Sequence, residues 1–323
     1  MRGTCVQPES EITLEANPAA MTFAQLQALR EGGFNRISMG VQSASDRELQ
    51  TLGRRHSFAQ AQQSVQMAQA AGFRNVSVDL MLGTPGQTAQ AIDRFVETFD
   101  ALGVQHISGY LLKIEPGTPF ARQHIERDCP DEERSAELYL HTVEQMARHG
   151  FLQYEVSNFA RPGFESRHNL KYWTGGEYVG FGPGAHSYFG GRRYAYPRDL
   201  EGYIRAVAAG NVPLEDCQTI TATEQAREYL LLQMRTLYGI EEWEYRRLFG
   251  LNFDPIARRL EVLESHRWVE QSGHRWHFTP QGFLLSNTLI LDLLEAQSAT
   301  LQVKKDWKAF LGPPDDPPET NHP

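Results

Sequence analysis

From Glu11 to about Tyr110 the chain alternates short β-rich runs with longer helical patterns, and few folds accept that rhythm. EITLE, from Glu11 to Glu15, reads as a strand ending at the turn signal Asn17-Pro18. Met21 to Glu31 reads as a helix, with Phe23, Leu26 and Leu29 at helical spacing and Gly32-Gly33 as its stop. NRISMGVQ, from Asn35 to Gln42, is a second strand. A helix from Phe58 to Ala71 ends at Gly72, and NVSVDLML, from Asn75 to Leu82, is the third strand. The glycine-rich turn GTPGQT leads to a helix from Ala89 to Leu102 and a fourth strand, HISGYLL, from His106 to Leu112. Strand-helix repeats of this kind predict a parallel β/α architecture, in which ligands lie at the carboxyl ends of the strands.

Polar residues fall where that rule places a site. Glu15, Gln42 and Asp79 lie at or near strand ends, and Arg54 follows the second strand in an LGRR turn. Taken singly, each is an ordinary solvated loop residue. Taken with the barrel rhythm, they predict a ligand rim.

Downstream, another helix is predicted from about Asp131 to Gly150, followed by the strand-like FLQYEVSNFARPG. HNLKYW and YVGFGPGAHSYFGG are rich in glycine and aromatics, which suits either a packed loop over the barrel mouth or a site for a flat, porphyrin-like ligand. After about Asp216 the pattern turns helical: Thr221 to Leu237, Glu241 to Phe249 and Pro255 to Ser265, with Thr221 and Glu224 spaced as a capping box. WVEQ and HRWHF read as a hairpin, and Thr279-Pro280 starts a last helix to about Glu295. The order resembles a winged-helix module and raises DNA binding as an alternative. Its basic footprint is absent, since no lysine occurs between Asp216 and Glu295 and acidic residues outnumber arginines there.

The whole chain carries a formal charge of -9, with 40 acidic against 31 basic residues, which disfavours nucleic acid or an anionic membrane as the main partner. Its 323 residues, 41% of them hydrophobic, suffice for a sizeable core. No apolar run approaches the roughly 20 residues of a membrane helix, and the N-terminus lacks signal-peptide order, so a cytoplasmic location is expected. Cys5, Cys129 and Cys217 are too far apart for a zinc, haem-attachment or iron-sulfur motif and read as free thiols in a reducing cytosol. GPPDDPPETNHP, after Leu311, reads as a disordered tail.

EITLEANP, NRISMGVQS, LGRRHS, VDLMLGTPGQT, YLLKIEPGTPF, YEVSNFARPG, HNLKYW and GFGPGAHSY, in that order, resemble the radical-SAM family of HemW-type haem chaperones and oxygen-independent coproporphyrinogen III oxidases. The resemblance runs from about Glu11 to Glu295 and is closer to the chaperone branch through HNxxY, here His168, Asn169 and Tyr172. It implies an α/β fold, a (β/α)6 TIM-like partial barrel that opens on a CxxxCxxC loop holding a 4Fe-4S cluster. No such motif occurs in this sequence, and EITLE resembles the third barrel strand. The implied organisation is a replaced or truncated N-terminus over 1–10, a barrel remnant with a haem-binding segment over 11–215, a winged-helix-like domain over 216–295 and a disordered tail over 296–323. The strand from Glu11 to Glu15 is then expected to be a sheet edge or to be covered by the first ten residues.

Carried over residue by residue, the family's contacts to S-adenosylmethionine (SAM) are implied at Glu15, Gln42, Arg54 and Asp79, and its haem site at His168 and Tyr172. Without cluster cysteines the SAM site is expected to be weakened and reductive cleavage of SAM is not expected, so no catalytic residue is assigned and enzymatic activity is left open. The implied function is a cytoplasmic haem chaperone that binds haem or porphyrin and delivers haem to an acceptor protein, membrane-associated or respiratory. The alternative is an oxygen-independent coproporphyrinogen III oxidase of porphyrin biosynthesis, or the product of a mis-started or broken gene.

Overall fold

A computed structural model describes residues 6–310, with the helical backbone alone over 299–310. Cys5 and the expected tail beyond Leu311 lie outside the described residues. The chain forms two units, Met1–Tyr172 and Trp173–Pro323.

The first unit is built on a six-stranded sheet of order β1-β2-β3-β4-β6-β5. Strands β1 (Thr13–Ala16), β2 (Arg36–Gln42), β3 (Asn75–Leu82) and β4 (His106–Leu111) run parallel. The connecting helices are α1 (Phe23–Glu31), α2 (Asp46–Thr51), α3 (Phe58–Ala70) and α4 (Ala89–Ala101). Thr22 with Gln25 and Ser57 with Gln60 form capping boxes, and Ser45 and Thr88 cap α2 and α4, so each helix starts where a hydroxyl satisfies its free amides. Gly33 and Gly72, with φ of 103 and 100°, let the chain turn back to the sheet in a backbone region closed to most residues.

Alternation along the strands divides the sheet's two faces. Ile37, Met39, Val41, Val76, Val78, Leu80 and Ile107 are buried, with Phe58, Phe95 and Phe99 from the helices in the same core. The Phe95 and Phe99 rings lie 4.7 Å apart and Phe58 meets Phe99 edge to face at 5.8 Å. On the opposite phase of the same strands stand Arg36, Ser38, Gln42, Ser77, Asp79, His106 and Ser108. That interior face is polar, which a packing role alone does not require.

Beyond β4 the parallel rhythm stops. After α5 (Pro119–Arg122), a 3-10 turn (Ile125–Asp128) and α6 (Glu132–Arg148), the segment read as one apolar strand is an antiparallel pair, β5 (Leu152–Glu155) and β6 (Asn158–Ala160). β6 runs antiparallel to β4. At the other side β1 pairs with β2 alone among the described residues, so the expected sheet edge is present and the sheet is open. The unit closes with α7 (Arg167–Trp173).

The second unit begins with an antiparallel sheet where the glycine-rich sequence suggests a packed loop: β7 (His186–Phe189), β8 (Arg192–Ala195) and β9 (Glu215–Thr219), with α8 (Leu200–Ala208) between β8 and β9. The boundary drawn after residue 215 therefore falls inside β9, and the chain parts instead after Tyr172. The cause is local: glycines crowd the segment before β7 and the Gly190-Gly191 turn between β7 and β8, a composition that reads as loop.

The remainder follows the winged-helix order. Helices α9 (Ala222–Gln233), α10 (Glu242–Phe249) and α11 (Asp254–Ser265) precede the hairpin β11 (Val269–Ser272) and β12 (Arg275–Phe278), with the short β10 (Ile240–Glu241) on the other side of β12. Tyr245, Phe253, Ile256, Leu260 and Leu293 fill the core. After α12 (Pro280–Leu284), α13 runs Ser286–Phe310, fifteen residues past the stop expected at Glu295, because no glycine or proline interrupts it before Gly312. The tail expected from residue 296 is thus helical to Phe310.

Candidate functional site

At the carboxyl ends of the parallel strands a polar cavity of about 540 Å3 opens in the first unit. Glu15 from β1, Gln42 from β2, Asp79 from β3 and Arg54 from the turn after α2 all line it. The four residues singled out from sequence are therefore brought to one place. They are joined by Asn17, Arg36, Ser38, Gly40, Ser108, Tyr110 and Asn169. Most of these were legible by alternation: Arg36, Ser38 and Gly40 share the face of Gln42, and Ser108 and Tyr110 do the same on β4.

The backbone is bent at the rim. A register shift separates Met39 from Gln42, and Gln42 has φ of 80°, a strained setting for a residue with a side chain. A Cβ at Gly40 would meet Gln42 Nε2 at 3.0 Å and approach Arg54 and Asn17 at 3.7 Å. The missing side chain thus leaves the cradle open between these three polar groups. Arg54 donates to Asn17 Oδ1 at 3.1 Å, which aims the guanidinium along the rim.

Two buried polar atoms have no protein partner here. Gln42 Oε1 is one, and Nε of Arg36, whose residue is 5% exposed, is the other. Unpaired buried groups of this kind are costly, and a polar ligand would satisfy them. Burial pushes the Asp79 carboxyl up to about 6; Glu15 adds to the rise, while hydrogen bonds from Ser108 and Ser38 and the charge of Arg36 oppose it. The donor set of carboxylates, an amide and a guanidinium suits a zwitterionic ligand with hydroxyls.

His168 and Tyr172 lie elsewhere on the same unit. Both are on α7, and their rings pack edge to face at 4.9 Å, as a four-residue spacing on a helix requires. Both rings are exposed. Of the GFGPGAHSY string, the glycines have a local reason: a Cβ at Gly180 would stand 2.4 Å from the His186 carbonyl oxygen, and Gly182 and Gly184 have positive φ. Phe181 beside them is 86% exposed.

Among the described residues no cluster of three or more histidine, cysteine or acidic side chains could hold a metal ion. Cys129 and Cys217 are free, and burial raises the Cys129 thiol above its ordinary range.

An open parallel β/α sheet with a polar rim, joined to a winged-helix-like module, defines the class. Residues 3–99 match the Radical SAM superfamily and residues 220–285 the HemN C-terminal domain. The fold is that of coproporphyrinogen III oxidase from Escherichia coli, a radical-SAM enzyme, with a TM-score of 0.75 at 20% identity over 89% of this chain and 70% of that one. In sequence the chain is 36% identical to the haem chaperone HemW of Bacillus subtilis, over 86% of this chain and 74% of that protein. It is 31% identical to HemW of Escherichia coli over 87% and 74%. A mitochondrial radical SAM domain-containing protein of Bos taurus is 38% identical over 88% and 68%. The chain belongs to the HemW haem-chaperone family of radical-SAM proteins. Among the described residues no helix is long and apolar enough to cross a membrane.

Proposed function

We propose that this chain is a haem-binding chaperone of the HemW type, which takes haem at His168 and Tyr172 and passes it to an acceptor protein, from a cytoplasmic location. The observation that carries this reading is α7 itself, where HNLKYW presents an imidazole and a phenol on one exposed face. An imidazole nitrogen is a common axial ligand of haem iron, and exposure suits cargo that must be handed on.

The polar cavity is the proposed SAM site. Glu15 and Asp79 would accept from ribose hydroxyls or the ammonium, Arg54 would fork onto the carboxylate, and Gln42 would offer its unpaired oxygen to a donor. Arg54→Ala should weaken binding of S-adenosylhomocysteine roughly tenfold or more, the scale of one charge-assisted pair. Calorimetry on both chains measures this, and equal affinities would remove Arg54 from the site.

A 4Fe-4S cluster does not fit the residues present. The sequence holds Cys5, Cys129 and Cys217 only, with no two near enough to share a loop, so no step through a cluster is assigned. Anaerobic reconstitution of this chain with iron and sulfide should leave no stoichiometric cluster. A cluster absorption that Cys5→Ala abolishes would contradict that expectation.

One experiment separates the chaperone from the oxidase. The chain is supplied with haemin and, separately, with coproporphyrinogen III; retention of haem through a sizing column without porphyrin product is the expected result. Conversion of coproporphyrinogen would sink the chaperone reading.

A further inference from the structure

Helix α7 has two jobs on its two sides. His168 and Tyr172 form the exposed aromatic pair, while Asn169, between them in sequence, lines the polar cavity. Its N-terminus is tied down from two directions. Glu11, just before β1, spreads its carboxylate over the first two helical amides: Oε2 accepts from the Arg167 N–H and Oε1 from the His168 N–H, each at 3.2 Å. Those amides have no partner within the helix, and a carboxylate is favoured beside them. Glu11 is itself held, because Asn35 accepts from the Ile12 N–H at 2.8 Å and donates to the Ser10 carbonyl at 2.7 Å.

The second tie comes from the barrel interior. Ser77 Oγ and His106 Nδ1 are 2.7 Å apart, His106 Nε2 and the Tyr154 hydroxyl 2.8 Å, and that hydroxyl accepts from the Ser166 N–H at 3.2 Å. Ser166 Oγ in turn accepts from the Asn169 N–H at 3.3 Å. The strand that carries Glu11 at its entrance carries Glu15 in the cavity four residues on.

We propose that α7 is a wall shared by the two sites, so that filling the polar cavity and capturing haem at His168 are coupled, with Glu11 the positioning residue that joins them. The proposal rests on the haem reading of His168. A nucleoside in the cavity packs against Asn169 and Glu15 and so steadies α7 through its own side chain and through the strand that caps it. Haem then meets a helix already ordered, and the ordering cost is not met twice. Linkage makes the effect reciprocal: haem tightens the nucleoside by the same factor.

The test uses the full chain, haemin and S-adenosylhomocysteine. Haemin is titrated with and without saturating nucleoside, and amide exchange over 167–173 is followed under both conditions. The nucleoside should slow exchange there about threefold or more and tighten haemin about fivefold, the lower end of ordinary coupling between sites. Glu11→Gln replaces one accepting oxygen with a donor; it should leave nucleoside affinity within about twofold and cut the tightening of haemin below about twofold. Asn169→Ala removes the cavity contact without touching the Glu11 cap and should also abolish the tightening. Unchanged exchange over 167–173, or haemin affinity indifferent to the nucleoside, overturns the coupling. Haemin binding that ignores His168→Ala instead sinks the haem reading, while slowed exchange in α7 would still uphold the shared wall.

Discussion

His168→Ala should lower haemin affinity on the order of a hundredfold, a loss of about 2.8 kcal/mol. The reasoning starts from α7. His168 is exposed, its N–H is capped by Glu11, and its ring stands edge-on to Tyr172 at 4.9 Å, so the imidazole is presented in a fixed direction without being consumed in packing. Removing it deletes an iron ligand and leaves apolar contacts to the macrocycle, so affinity falls without vanishing. The fold should be untouched, because an exposed ring gives up little buried area. Tyr172→Phe asks a separate question. The ring contact survives the substitution, so a purely packing tyrosine tolerates it, whereas a hydroxyl that ligates or hydrogen-bonds the axial group does not, and the haem absorption spectrum then shifts. Titrating haemin into the three chains and recording spectra decides both points. Equal affinities and identical spectra throughout would remove the haem site from α7.

Much of the first unit was legible because its signals are local and repeated. Helix α1 begins at Phe23 after the Thr22 cap and ends before Gly32-Gly33, where punctuation and periodicity agree. The rim was legible through topology: once β1, β2 and β3 are taken as parallel, Glu15, Gln42 and Asp79 must share one end of the sheet. Arg36 gives no such signal, because it sits at the start of β2 and a charged residue at a strand end is usually solvated. Only the alternation with Ser38, Gly40 and Gln42 shows that it faces inward, where it is 5% exposed.

What failed to show in the sequence depends on distant partners. β5 and β6 read as one apolar stretch, since the turn at Val156-Ser157 lacks glycine or proline, and their antiparallel placement follows from pairing with β4. Helix α2 is only six residues, too short for a period of 3.6 to be seen. The contact of Glu11 with α7 spans more than 150 residues, and nothing in EITLE announces it. In sequence only Glu15 of this segment marks a site, although Glu11 accepts directly from the backbone N–H of His168, the haem candidate.

Asp79 and His106 should make the pH dependence of stability a balance of two opposed terms, which single substitutions separate. Asp79 titrates at about 6 in the folded chain because of burial and the neighbouring charge of Glu15, against an ordinary value of 3.8. The folded state therefore takes up that proton first as pH falls, and its stability contribution is full below 3.8 and lost as pH rises through about 6. Above that, an ionised Asp79 costs up to about 3 kcal/mol, less where the open cavity lets water screen it. Asp79→Asn removes the cost, so the variant should be more stable than wild type by about 1–3 kcal/mol at pH 8, and the gap should close towards pH 4. His106 works the other way. It is fully buried, and burial with the nearby Arg36 charge holds its pKa well below 6.5. Here the unfolded chain takes the proton first, so the contribution is present above 6.5 and is lost as pH falls below it. His106 Nδ1 meets Ser77 Oγ at 2.7 Å and Nε2 meets the Tyr154 hydroxyl at 2.8 Å, so the neutral ring donates at one end of this chain and accepts at the other. His106→Gln cannot hold both ends of that chain and should be less stable at every pH, by about 1–3 kcal/mol for the broken bonds. Its deficit should nevertheless shrink as pH falls from 7 to 5, because the wild type alone carries the acid penalty. Urea unfolding of the three chains followed by far-UV circular dichroism across pH 4 to 8 measures both differences. An Asp79→Asn chain no more stable than wild type at pH 8 would mean that the cavity solvates this carboxylate as well as water does.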